Sequence, residues 1–250
     1  MTKFAIIGGT GLTQMAGLNI VRREPVVTPW GEPSSPLLVG ELAGTEVVFL
    51  PRHGEHHTLP PHRVNYRANL HALHQAGVEQ VIAVAAVGGI SDDMTPGVIA
   101  IPDQIIDYTW GREHTFFDTH PSPVTHIDFT DPYCEDLRLE LLGVSEKCGG
   151  AVIDGGVYGA TQGPRLETAA EIDRMHRDGC TLVGMTGMPE AALARELGLC
   201  YACCAVVANR AAGCGDGGEI SMAEIESTLD IAMAGVGTLL GEFFTNIEST

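Results

Sequence analysis

Three stretches of the chain are continuously apolar rather than alternating: FAIIGG (4–9), QVIAVAAVGG (80–89) and CYACCAVVAN (200–209). Strands buried on both faces read this way, because helices cover each side of their sheet. A fourth stretch, SPLLVGELAGTEVVFLPR (35–52), divides around Ala43-Gly44 and predicts a hairpin. Between these runs the period becomes helical. In VNYRANLHALHQAG (64–77), Tyr66, Leu70 and Leu73 share one face and Gly77 stops the pattern. TDPYCEDLRLELLG (130–143) predicts a helix capped by Asp131 with Pro132 in its first turn. MPEAALARELG (188–198) opens on Pro189 and closes on Gly198, and Met222, Ile225, Leu229, Met233, Val236 and Leu240 mark a long amphipathic helix near the C-terminus. No repeat, charge block or low-complexity segment interrupts the alternation of strands and helices. The pattern predicts one α/β domain over residues 1–250.

Composition narrows the functional classes. Apolar residues make up 44% and charged residues 18% of the 250, enough for one sizeable core. The net charge is −18, and Lys3 and Lys147 are the sole lysines. That balance argues against a nucleic-acid or anionic-membrane binder, which needs a basic surface. Any anion site must be local, built from backbone amides and a few arginines and histidines. The opening residues lack the basic segment, apolar run and cleavage site of a secretory signal. VIAVAAVGGI (81–90) falls far short of the roughly 18 residues that a membrane span needs. Of seven cysteines, four crowd into positions 200–214, which suits reduced, mostly buried thiols in a cytoplasm better than a disulfide framework.

Four segments carry candidate chemistry. IIGGTGLT (6–13) places a glycine cluster after a strand, as in phosphate-binding loops. A dinucleotide fingerprint would need a sixth-position glycine where Gln14 stands, and a P-loop would need a lysine. What remains is a small-oxyanion loop using backbone amides and the Thr10 hydroxyl, or a tight turn leaving the strand. In PRHGEHHTLPPHRVN (51–65), Arg52 beside His53 suits a dianion. Four histidines there also allow a metal, but no HExxH spacing fixes a ligand face, and a polar surface loop is the third reading. CYAC (200–203) lies in a strand-like run, where a buried core pair fits better than a redox pair. VVANRAAG (206–213) ends a buried strand on Asn209, at the place where open α/β sheets hold ligands. An amide offers one acceptor and two donors in a plane, suited to a base edge, though capping the strand exit is an equal use.

Taken in order, GGTGL, RHG followed by NYRANL, VGGI, GPRLETAAE (163–171), GMTGMPEAALARELG (184–198) and VVAN resemble the trimeric purine nucleoside phosphorylase and methylthioadenosine phosphorylase family over essentially the whole chain. Within that family the chain looks most like the bacterial methylthioinosine-cleaving members. The resemblance implies a twisted mixed β-sheet flanked by helices, a homotrimer, and no metal or organic cofactor, with inorganic phosphate as co-substrate. It implies that Thr10, Arg52, His53, Ala85, Ala86 and Thr186 surround the phosphate. Ala85 stands where relatives often carry a polar side chain, so that contact rests on the backbone. Met185 would lie under the ribose, and Met222 and Ile225 would line the 5′ end. His126 would reach that end from a neighbouring subunit. Asn209, Arg210 and Ala211 would sit at the base, with Asn209, His53 and Arg52 as the catalytic group.

The family reaction splits the N-glycosidic bond of a nucleoside with phosphate. Adenine-specific members carry aspartates where this chain has Asn209 and Ala211. A neutral asparagine can donate to O6 of a 6-oxopurine while its carbonyl accepts from a protonated N7; against adenine, donor would face donor. Glu167 likewise fits poorly with an adenine pocket, where a small residue is usual. Met222 and Ile225 imply an apolar 5′ end suited to a methylthio group. The expected substrate is therefore 5′-methylthioinosine. Inosine or guanosine, and then methylthioadenosine, are the alternatives. A nucleotide-binding oxidoreductase and a non-catalytic purine or phosphate binder are the rivals from other classes.

Overall fold

A computed structural model describes residues 3–9, 12, 17–118, 124–145, 152–215 and 220–248. Its strands are β1 (Phe4–Gly8), β2 (Leu18–Glu24), β3 (Leu37–Leu42), β4 (Thr45–Pro51), β5 (Gln80–Gly89), β6 (Ile99–Ile101), β7 (Gln104–Asp107), β8 (Val152–Asp154), β9 (Val157–Ala160), β10 (Leu182–Gly184) and β11 (Cys200–Arg210). Its α-helices are α1 (Tyr66–Gln75), α2 (Glu135–Ser145), α3 (Ala169–Arg177), α4 (Gly187–Glu196) and α5 (Met222–Glu248). The strands form one mixed sheet. Its main path runs β2-β3-β4-β1-β5-β10-β9-β7, and β11 branches from β5 to carry β6 and β8.

The three continuous apolar runs become β1, β5 and β11, which pair in parallel at the centre of this sheet. Their residues alternate between two cores. Val81, Ala83, Cys203 and Ala205 face one side, packed against Ala72 and Leu73 of α1 and Leu193 of α4. Ile82, Cys204 and Val206 face the other, against Leu141 of α2 and Val236, Leu239 and Phe243 of α5. Helices on both faces explain why these strands show no polar alternation. The predicted hairpin is β3–β4, and Ala43 (φ 49°) and Gly44 (φ 87°) both take the left-handed conformation of a tight two-residue turn.

Two expectations are corrected. The helix predicted over 130–143 begins at Glu135 and runs to Ser145, so Asp131 and Pro132 lie outside it. The cause is tertiary: the Cys134 amide donates to the Tyr201 carbonyl (2.8 Å), and Cys134 is disulfide-bonded to Cys200. Both hold residue 134 against β11, and the helix starts only beyond it. That disulfide also overturns the reading of Cys200 as a reduced thiol. Cys203 and Cys204 remain buried free thiols, with desolvation pushing Cys204 up to about 12, so the Cys200–Cys203 spacing is not a redox pair.

One irregularity decides the site. β11 pairs with β5 in register up to Val207↔Val87 and then shifts, so that Asn209, not Ala208, stands opposite Gly88. Residues two apart on a regular strand share a face, so an unbroken β11 would turn Asn209 to the same core as Val207. The bulge at Ala208 moves Asn209 to the opposite face, re-aiming one side chain.

The VGGI motif has a packing cause. A Cβ on Gly89 would collide with the Met94 carbonyl group of the following loop. Gly89→Ala should therefore destabilise the fold by about 1–3 kcal/mol, measured by urea denaturation. Unchanged stability would show that the loop yields without cost.

Candidate active site

β4 ends at Pro51, and the next two residues build a buried corner at the end of the strand. The Arg52 amide donates to the Gly8 carbonyl at the end of β1 (2.9 Å). Its guanidinium is 3% exposed and forms a two-pronged pair with Glu190 of α4: Nε to Oε2 at 2.7 Å and Nη2 to Oε1 at 2.8 Å. Nη1 donates to the Val84 carbonyl (3.0 Å), and the Tyr201 hydroxyl donates to Glu190 Oε1 (2.9 Å). Burial alone would lower the Arg52 pKa, but the charge and hydrogen bonds of Glu190 hold it well above its ordinary value. A guanidinium has five N–H groups. Three are used here, and one on each terminal nitrogen is left for a further acceptor.

His53 is neutral. Its Nδ1 lies 2.8 Å from the Leu59 carbonyl oxygen, which can only accept, so Nδ1 carries the proton and Nε2 keeps a lone pair. Burial, then the adjacent Arg52 charge, pulls its pKa from 6.5 to about 4, against the opposing pull of the Leu59 hydrogen bond. Beyond Ala83, β5 has lost β1 as a neighbour. The Val84 carbonyl points to that open side toward Arg52. By strand alternation the Ala86 amide points the same way, while that of Ala85 turns toward β11.

These groups open into a cavity of about 610 Å³, bordered by Arg52, His53, Ala85, Ala86 and Thr186 at one end and by Glu167, Asn209 and Ala211 at the other. The size suits a small-molecule ligand. Met185 also borders the cavity, and Met222, Ile225, Leu229 and Met233 of α5 form an apolar wall. Met222 is 61% exposed, at the rim. Thr186 is the N-cap of α4 but makes no capping bond, so its hydroxyl is not committed to the helix. At the far end the Thr161 hydroxyl donates to Glu167 Oε1 (2.6 Å). Asn209 Nδ2 donates to the Arg210 carbonyl (2.7 Å), which fixes the amide and leaves Oδ1 and one N–H for a ligand. A larger depression of about 830 Å³ around Asp131, Arg138, Asp154 and Cys200 contains none of the residues expected at a site.

Most of the residues singled out in the sequence thus meet in one place, two do not, and one is not described. Thr10 lies outside the described residues. The Arg210 guanidinium does not border the cavity; it donates to the carbonyls of Ser91 (2.6 Å) and Met94 (3.1 Å), holding the loop after β5. His126 is exposed and contributes nothing to the cavity wall of its own chain. Among the described residues no three His, Cys, Asp or Glu side chains converge as a metal site; of the histidines of 53–62, the His53 and His57 rings pack with centroids 4.7 Å apart. Sequence reasoning missed Glu190 and Tyr201, which orient Arg52, and Thr161, which orients Glu167. The available signal was the Glu190 carboxylate among the small and apolar residues of the first turns of α4.

With this geometry in view, the chain belongs to the Phosphorylase superfamily, which it matches over residues 3–245. It is 58% identical over 238 residues to a probable S-methyl-5′-thioinosine phosphorylase of Xanthomonas campestris pv. campestris, covering 95% of each chain. It is 47% identical over 218 residues to the 6-oxopurine nucleoside phosphorylase of Pyrococcus furiosus, covering 85% of this chain and 81% of the relative. In structure it is similar to methylthioadenosine phosphorylase from Schistosoma mansoni in complex with adenine, with a TM-score of 0.93 and 31% identity, covering 100% of this chain and 93% of the other.

Two predictions follow from the buried corner. Glu190→Gln leaves the Arg52 charge uncompensated and should cost about 3–5 kcal/mol of stability in urea denaturation. A loss well under 1 kcal/mol would mean that the pair is not needed. The lowered His53 pKa gives a stabilising contribution that is complete above pH 6.5 and is lost as pH falls toward 4, because the unfolded chain binds that proton first. His53→Gln should flatten this part of the stability profile, and an unchanged slope would reject the assignment.

Proposed function

We propose that the chain catalyses phosphorolysis of S-methyl-5′-thioinosine to hypoxanthine and 5-methylthioribose 1-phosphate. The observation that carries this reading is the pair of groups at the base end. Glu167 is an acceptor toward the cavity, since Thr161 already supplies it with a donor. A 6-oxopurine carries a hydrogen on N1 that a carboxylate can accept, whereas N1 of adenine is itself an acceptor. Asn209, with its amide held by the Arg210 carbonyl, offers its free N–H to O6 and its Oδ1 to a protonated N7. Adenine would set donor against donor and lone pair against lone pair, leaving buried polar groups unpaired. The relatives named as probable methylthioinosine and 6-oxopurine phosphorylases support the same choice.

At the other end, phosphate as HPO₄²⁻ takes the free edge of Arg52, the Ala86 amide and the Thr186 hydroxyl. Its P–OH donates to the His53 Nε2 lone pair. In the reaction the C1′–N9 bond breaks with its electron pair going to the purine, a phosphate oxygen forms the new bond to C1′, the purine gains a proton at N7 from solvent, and the sugar phosphate gives up its P–OH proton to solvent. Phosphate stabilises the positive charge that develops on the ribose, and Asn209 stabilises the departing base. Met185 packs under the ribose, and Met222 with Ile225 faces the 5′-methylthio group. The proposal requires no metal and no organic cofactor. It includes a homotrimer, in which the exposed His126 serves a neighbouring subunit's site, and a location in the cytoplasm. No helix among the described residues is long and apolar enough to cross a membrane.

The test is phosphate-dependent base release from 5′-methylthioinosine, inosine and 5′-methylthioadenosine in parallel. Methylthioinosine should lead, with kcat/KM about 100-fold or more above methylthioadenosine. Preference for methylthioadenosine would refute the roles of Asn209 and Glu167. Base release without phosphate would refute phosphorolysis.

A further inference from the structure

Arg112 does not border the cavity, yet its guanidinium is spent on the chain segments that form both cavity ends. It is 8% exposed, and among the described residues no carboxylate pairs with it. Nη2 donates to the carbonyls of Thr161 (3.0 Å) and Gln162 (2.9 Å), and Nε to the Gln162 side chain (3.2 Å). Nη1 donates to the carbonyls of Met185 (2.9 Å) and Met188 (2.5 Å), with the Tyr66 hydroxyl at 3.3 Å. All five N–H groups are used on neutral acceptors. A buried cation without an anion is costly to maintain unless it is fully hydrogen-bonded, and here the carbonyl groups of two segments supply that solvation.

Those two segments belong to opposite ends of the site. β9 and β10 run in parallel and pair up to Ala160 and Gly184, and one more backbone bond joins the Thr161 amide to the Gly184 carbonyl (2.8 Å). Beyond that point the ladder stops. One chain continues through Thr161 and Gln162 to Glu167, at the base. The other continues through Met185 and Thr186 to Met188 and then Glu190, the partner of Arg52. Arg112 takes over where the ladder ends, with one planar cation spanning both exits.

We propose that Arg112 is a positioning residue that fixes the base-reading end of the cavity relative to its phosphate end. The proposal rests on the phosphorolysis reading above. Lysine cannot replace it, because three N–H groups on one nitrogen cannot span two divergent segments. Small displacements of either end misalign the base, C1′ and phosphate, and about 1 Å of misplacement can cost 100-fold in rate.

The experiment compares the parent with Arg112→Lys and Arg112→Ala for melting temperature and for kcat and KM toward both phosphate and nucleoside. Arg112→Ala is also assayed with added guanidinium chloride at sub-denaturing concentration. Expected for the lysine variant is a folded protein with kcat/KM lower by about 100-fold, mainly in kcat. Expected for the alanine variant is partial recovery on adding guanidinium, which does not activate the parent. A lysine variant with parental kcat and KM overturns the proposal. So do variants that simply fail to fold, which would make Arg112 structural, and an alanine variant that guanidinium does not rescue. A parent that cleaves no nucleoside overturns the functional reading itself, and the positioning role with it.

Discussion

The ion pair between Arg52 and Glu190 is the constraint to which the Arg52–His53 part of the cavity is tied. It joins residues 138 positions apart in the chain, one following β4 and the other on α4. Burying two charges is expensive, and their attraction offsets that cost only with excellent geometry and satisfied neighbours. Both conditions are met by the two-pronged contact, the Tyr201 hydroxyl on Glu190 and the Val84 carbonyl on Arg52. The result is a guanidinium that cannot rotate away, with one free edge facing the cavity. The neighbouring His53 stays neutral partly because that fixed charge is beside it.

The part of the cavity bordered by Asn209 and Glu167 is organised by hydrogen bonds rather than by an ion pair. The bulge at Ala208 turns Asn209 out of the core, and a carbonyl one residue later fixes its amide. Thr161 does the same for Glu167. Each specificity group therefore has one hydrogen-bonding capacity spent inside the protein and a defined remainder for the ligand, the form of preorganisation that gives discrimination between bases differing at two positions. Between the two ends, the strand ladder and then Arg112 keep the spacing.

Much of this was legible in the sequence, because the central strands advertise burial on both faces and the turn at Ala43-Gly44 carries its own chemistry. The same is true of several residues that border the cavity: Arg52 and His53 directly after β4, Ala85 and Ala86 within β5, and Asn209 near the end of β11. What stayed hidden depends on contacts between distant segments. Nothing local to TDPYC says that Cys134 is tied to β11 and delays its helix. Arg210 stands beside Asn209 in sequence, but its neighbours in space are the carbonyls after β5, so proximity in the chain misassigned it. Glu190 and Arg112 are single charged residues whose partners lie far away in sequence, and no spacing rule announces them.

The most direct test of the account is a crystal structure with hypoxanthine and inorganic phosphate bound together. The account places N1 of the base within hydrogen-bond distance of Glu167, O6 and N7 on the Asn209 amide, and phosphate on Arg52 with its protonated oxygen toward His53 Nε2. A base turned away from Glu167 and Asn209, or phosphate held elsewhere than at Arg52 and His53, would contradict it.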